Sequence, residues 1–119
     1  MAHYVDGFVI PLPRKNVDDY RRGAQKAGKI WRAYGALEFR ECVGDDLNIK
    51  MGKPFPRGIK TKPGETVLFS YIVFKSRAHR DRVNAKVMRD PRLAKLMKSP
   101  MPFDVKRMLY GGFKTIVEA

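Results

Sequence analysis

The apolar positions of the chain recur with two different periods, and the places where the period changes mark its elements. His3 to Leu12, HYVDGFVIPL, is dense in β-branched and aromatic residues and stops at Pro11 and Pro13, which predicts a first strand. Asn16 offers a cap, and Asp18 and Asp19 suit the positive end of a helix running from about Val17 to Tyr34, with Gly35 at its stop. At 100° per residue, Val17, Tyr20, Ala24, Ala27, Trp31 and Tyr34 share one stripe with Ile30 at its margin, while Arg21, Arg22, Lys26, Lys29 and Arg32 lie elsewhere. In Ala36 to Val43, the residues Leu37, Phe39, Glu41 and Val43 alternate against Glu38, Arg40 and Cys42, the period-two pattern of a strand. The glycines and prolines between Gly44 and Gly64 predict an extended loop, and 45–64 receives no role from the sequence. Thr66 to Phe74 reads as a strand apolar on both faces. Ser76 caps a second helix to about Arg89, Asp90-Pro91 starts a short further turn, and Arg107 to Val117 is the last strand.

The order β, α, β, β, α, β is the split βαβ pattern of an α+β, ferredoxin-like fold: a four-stranded antiparallel sheet with both helices on one face, formed by a single domain over residues 1–119. The first and third strands nevertheless show apolar side chains both ways. Two helices cover one face only, so the expectation is a homodimer that packs sheet against sheet.

Composition narrows the function classes. The 119 residues hold 25 basic and 12 acidic side chains, a formal net charge of +13. Such a balance attracts polyanions without specifying fold or reaction. No apolar run approaches the ~20 residues of a bilayer span, and the segment after Met1 lacks the marks of a secretory signal, so a soluble, unexported protein is expected. One cysteine, Cys42, makes no internal disulfide and fits a reducing cytoplasm, and with only two histidines no metal site of ordinary spacing is expected. No glycine-rich phosphate loop joins a strand to a helix, which argues against a dinucleotide enzyme, and no cofactor is expected.

Several stretches carry a family resemblance: YVDGFVIP at the start, ECVGDD from Glu41, VLFSYIVF from Val67, the run from Arg80 to Arg92 with its DPR, and MPFDVKRMLYGGF from Met101. Together they resemble the YbaA-like family of small uncharacterised bacterial proteins, over nearly the whole chain. The resemblance implies a dimeric α/β barrel, in which two ferredoxin-like protomers pack their sheets together, and it implies no activity.

Five residues stand out as candidate ligand-binding positions. Asp6 sits mid-strand among apolar residues, so if buried it needs a hydrogen-bonded or charged partner; as a structural pair that partner is Arg107 or Arg40, and as a site residue it is a proton acceptor or ligand anchor. Tyr110, on the strand placed beside the first, is its plausible neighbour and orienting donor, with Arg40 and Arg107 as anion clamps. Cys42 beside Arg40 is either an inert thiol or a nucleophile needing a base, for which His79 is the one serious candidate. Gly7 and the Gly111-Gly112 pair open a groove or simply serve strand packing.

The leading expectation is a small-molecule-binding cytoplasmic homodimer with its pocket between sheet and helices. One alternative is a nucleic-acid-binding module using the cationic helix faces, against which LFSYIVF lacks the basic-glycine-aromatic pattern of an RNA-recognition strand; non-specific polyanion association remains a consequence of charge. Another is a small dimeric-barrel enzyme, monooxygenase- or isomerase-like, suggested by fold analogy alone, with catalytic residues unassigned. A purely structural or partner-binding role is the third.

Overall fold

The computed structural model describes residues 2–119. Strand β1 spans Tyr4–Pro13, helix α1 Val17–Ala33, β2 Glu38–Val43, α2 Phe55–Ile59, β3 Glu65–Phe74, α3 Arg77–Met88, α4 Pro91–Met97 and β4 Leu109–Lys114. The strands form one antiparallel sheet in the order β2-β3-β1-β4, so the fold is ferredoxin-like. Two short helices, α2 and α4, interrupt the simple βαββαβ order expected from periodicity. The first forms inside the predicted loop, where Pro54 and Pro56 preset backbone angles for a helical turn. The second starts at Pro91 behind Asp90, whose carboxylate accepts from the Arg92 N–H at 2.7 Å. The last strand is shorter than expected at both ends: Val105–Arg107 makes a 3₁₀ turn before it, and it stops at Lys114.

Register assigns the faces. Asp6 lies opposite Ile72 and Gly112, and Phe39 opposite Ile72 on the other side. Alternation then turns Tyr4, Asp6, Phe8, Ile10 and Leu12 of β1, the even-numbered residues of β3, and Phe39, Glu41 and Val43 of β2 toward the helices. Two apolar clusters form there: Ile72, Phe74, Val83, Val87, Leu93 and Ile30 in one, Ile10, Leu12 and Leu68 in the other. The opposite face shows Phe69, Leu109 and Phe113, all about half exposed or more, and α2 reaches it through Phe55, whose ring meets Phe69 edge-on at 6.3 Å.

Ser76 caps α3 as expected, accepting from the His79 N–H at 3.1 Å. Asn16 does not cap α1; its amide reaches across to donate to the Pro102 carbonyl at 2.8 Å, tying the start of α1 to the segment after α4. The glycines of β1 and β4 leave no groove. The Tyr4 ring lies over Gly112 on one face and the Phe113 ring over Gly7 and Gly111 on the other, the usual way aromatic side chains fill the space that strand glycines leave.

Arg107 is a structural clasp. Its guanidinium donates to both Glu65 carboxylate oxygens at 2.7 and 2.8 Å and to the Lys60 carbonyl at 3.0 Å, joining the approach to β4 to the start of β3. Chiefly through those hydrogen bonds, Arg107 holds the Glu65 carboxyl down at about 2. A carboxylate with a depressed folded-state pKa contributes stability that is complete above its unfolded value and is lost as pH falls through the folded one. Glu65→Gln is therefore expected to lower the urea midpoint at neutral pH and to shrink the loss of stability between about pH 5 and about pH 2. Equal acid sensitivity in the two proteins, read from urea titrations across that window, would contradict the clasp.

Candidate functional site

Between α1, the helical face of the sheet and the 97–103 segment lies a cavity of about 840 Å³. Its existence follows from side-chain size. The middle of the α1 stripe consists of Ala24 and Ala27, with Gly23 beside them, and these line the cavity without filling it. The residues of α1 that do reach full burial are Gly28 and Ile30, the latter at the margin of the predicted stripe. Gly28 allows the close approach of α1 to β2, since a Cβ there would meet the Phe39 ring at 2.7 Å. The helix thus touches the sheet at Gly28 near its C-terminal end and through Val17 and Tyr20 at its start, and the gap along its small middle residues is walled by Phe8, Trp31, Phe39, Met97, Phe103 and Met108.

Two polar clusters interrupt this apolar wall. In the first, Asp6 is 1% exposed, and its Oδ1 accepts from Arg80 Nη1 of α3 at 2.7 Å. Asp6 Oδ2 accepts from Asn84 Nδ2 at 3.3 Å and Tyr110 Oη at 3.5 Å, both long. Asn84 Oδ1 accepts from Trp31 Nε1 at 2.9 Å, so the network continues into α1. Tyr110 stacks on Phe8 with ring centroids 4.6 Å apart, and burial, reinforced by the Asp6 carboxylate, pushes its phenol above the ordinary value. Arg80 also lies over the Tyr4 ring at 4.9 Å and pairs with Asp81 at 2.8 Å.

The second cluster is Tyr20, Glu41 and Ser70. Tyr20 Oη donates to Glu41 Oε1 at 2.7 Å. Crowding by protein raises the Glu41 carboxyl above the usual carboxylate range, against the opposing pull of hydrogen bonds with Tyr20 and Ser70. Its surface still meets water, which tempers the shift without changing its direction. Burial and the adjacent carboxylate push the Tyr20 phenol up as well, so it stays protonated and donates. No cation pairs with Glu41 among the described residues.

The five residues singled out from the sequence separate. Asp6 and Tyr110 come together at the cavity wall. Arg40 borders the cavity, but its guanidinium pairs with Glu38 at 3.0 Å. Strand alternation places it with Cys42 on the sheet face away from the helices, and Cys42 is exposed there. Arg107 is committed to Glu65. The buried partner of Asp6 is consequently Arg80, not Arg40 or Arg107, because α3 packs over β1 and aims its first turns at the mid-strand carboxylate. His79, on the helical side, is separated from Cys42 by the sheet, so it is no base for that thiol; its Nδ1 accepts from the Lys75 N–H at 2.9 Å, and burial followed by nearby cations lowers its pKa.

Glu41 and Ser70 were not among the sequence candidates, although the signal was present: Glu41 stands on the apolar side of an alternating strand and Ser70 in a strand apolar on both faces, where a polar residue needs a reason. No group of three or more His, Cys, Asp or Glu side chains suited to a metal ion occurs among the described residues. Neutralising Asp6 while leaving Arg80 charged, as in Asp6→Asn, is expected to cost about 3 kcal/mol of stability in urea unfolding. The double variant Asp6→Asn/Arg80→Met should recover most of that loss, and a double variant no better than the single one would refute the pair.

Comparison with known proteins adds family and fold. Residues 3–105 match the family described as "Protein of unknown function (DUF1428)". "Uncharacterized protein YbaA" of Escherichia coli strain K12 is 42% identical over 115 residues, covering 97% of each chain, and the protein of that description from Shigella flexneri matches equally. Among solved structures, a dimeric ferredoxin-like protein from an uncultured marine organism aligns over 100% of both chains with a TM-score of 0.58 at 11% identity, a likeness of fold.

Proposed function

This chain belongs to the DUF1428 family of proteins of unknown function, and we propose that it binds a small molecule in the cavity between α1 and the sheet, as a homodimer closed through the opposite sheet face. The observation that carries the binding reading is the cavity itself. Its volume of about 840 Å³ lies in the range of small-molecule sites, and its apolar wall is broken by a few convergent polar groups, Asp6, Tyr110, Glu41 and Tyr20.

The dimer reading rests on the other face. Phe69 is 47% exposed, Leu109 58% and Phe113 62%, and they lie on adjoining strands with Val5 and Val9 between them. Continuous apolar surface of this kind marks an interaction site. A second copy offers the same surface in a self-complementary arrangement, which gives the dimeric α/β barrel, and the ferredoxin-like marine protein is itself dimeric. A reducing cytoplasm suits the exposed thiol of Cys42.

The nucleic-acid reading has weaker support. Arg80 is drawn in to Asp6 and Arg32 donates to the Ala36 and Leu37 carbonyls, which takes two of the cations on the helices away from a phosphate-binding role. Fold analogy with small barrel enzymes offers no residue set for a reaction.

The neutral dye Nile red tests the cavity. Saturable binding at one dye per protomer is expected, with energy transfer from Trp31, the single tryptophan, and Ala27→Phe, which fills the gap, is expected to weaken it at least about tenfold. Binding that is unsaturable, or indifferent to that substitution, would remove the cavity as a site. Sedimentation equilibrium tests the dimer: twice the 13.7 kDa subunit mass is expected for the unaltered chain and the subunit mass for Phe69→Lys. A folded monomer at micromolar concentration would refute it.

A further inference from the structure

Although the protein carries a net charge of +13, the spare hydrogen-bonding capacity on the sheet wall of its cavity, at Asp6 and Glu41, is that of acceptors. The donors present are already spent on them. Tyr20 Oη points at Glu41, Tyr110 Oη and Asn84 Nδ2 point at Asp6, and Trp31 Nε1 points at Asn84. Arg80, which neutralises Asp6, approaches it from behind and contributes nothing to the cavity lining. What remains open is acceptor capacity. Asp6 Oδ2 holds only two long hydrogen bonds, and Glu41 has a second carboxylate oxygen and no cation to balance its charge.

The basic side chains near α1 do not reverse this balance. Arg40 is turned to Glu38, and Lys26 stands exposed where α1 borders the cavity. Arg21, Lys29 and Arg32 line the neighbouring groove between α1 and β2, not this cavity. An anionic ligand against the sheet wall would place its charge beside two carboxylates, with Lys26 offering an unpaired cation only at the exposed rim, and both desolvation and repulsion would oppose it there. A neutral or cationic molecule presenting O–H or N–H groups would meet unsatisfied acceptors instead. The two acceptors sit on one sheet face, two strands and two residues apart, ~12 Å between backbones from sheet spacings, a separation that suits donors at the two ends of a body the size of two fused rings.

We propose that the ligand of this cavity is a flat, largely apolar molecule bearing hydrogen-bond donors, such as hydroxyl or amino groups, and that anions are excluded from it despite the cationic surface. This specifies the ligand class for the binding reading above and rests on that reading. Its test uses three probes of one shape, 2,6-dihydroxynaphthalene, naphthalene and naphthalene-2,6-dicarboxylate, titrated into the full chain while the single indole N–H resonance of Trp31 is followed by NMR. That resonance reports from the cavity wall, so surface attraction of the dianion leaves it in place.

The diol is expected to shift the indole signal and to bind at least about tenfold more tightly than the dicarboxylate, with naphthalene between them. Glu41→Gln is expected to weaken the diol by about three- to tenfold and to change naphthalene little. If the dicarboxylate moved the indole at concentrations equal to or below those of the diol, the ligand class would be wrong while the cavity stood as a site. If none of the three moved it, the cavity reading would fall and this inference with it.

Discussion

A carboxylate with 1% of its surface exposed, in the middle of a central strand, cannot be left alone, and the answer to Asp6 organises one half of the molecule. Taking an isolated charge out of water costs several kcal/mol, so the fold must deliver a partner with good geometry. Arg80 supplies it at 2.7 Å from the beginning of α3. That contact fixes α3 over β1, and with it the rotation that brings Asn84 to Asp6 and to the Trp31 indole. Helix, strand and the second helix are thereby bound into one polar network, with Tyr110 added from β4. Apolar packing alone would tolerate several placements of α3. A charged pair with directional hydrogen bonds tolerates few.

The cavity is the complement of this arrangement. Contact between α1 and the sheet is tightest at Gly28, where the missing Cβ lets Phe39 approach, and loosest along Gly23, Ala24 and Ala27. The Asn16 amide then fastens the start of the helix to the Pro102 carbonyl, so the segment after α4 becomes a wall of the same space. Small residues on one side and aromatic and methionine side chains on the other keep the space apolar. Glu41 and Asp6 give it polarity at two places.

The net charge of the surface is not repeated on the sheet wall of the cavity. The surface excess of basic residues governs solubility and encounter with polyanions, while the cavity presents carboxylates and hydroxyls whose protons point at those carboxylates. Net charge, a sum over the chain, therefore says little about what the interior prefers. Family membership is equally silent on chemistry, so the functional reading stands on wall composition and hydrogen-bond inventory.

Local pattern made most of the fold legible. Strand-type composition, with period-two alternation in β2, located the four strands, 3.6-residue periodicity located α1, the Ser76 cap located α3, and apolar residues on both sides of Thr66 to Phe74 showed that the sheet has two apolar faces. Asp6 was legible as a residue in need of a partner, and Tyr110 as its neighbour, because both follow from strand order. The identity of that partner was not. Arg80 is 74 positions away and only the packing of α3 on β1 selects it over Arg40 and Arg107. Arg40 and Cys42 lie behind the sheet for the same reason: alternation tells which residues share a face, and only tertiary packing tells which face meets the helices. The cavity likewise came from where α1 touches and where it stands away. The sequence thus determined the elements and their amphipathic sides, which are properties of neighbouring residues, whereas the ion pair, the cavity and its acceptor character depend on distances between elements that no local period encodes.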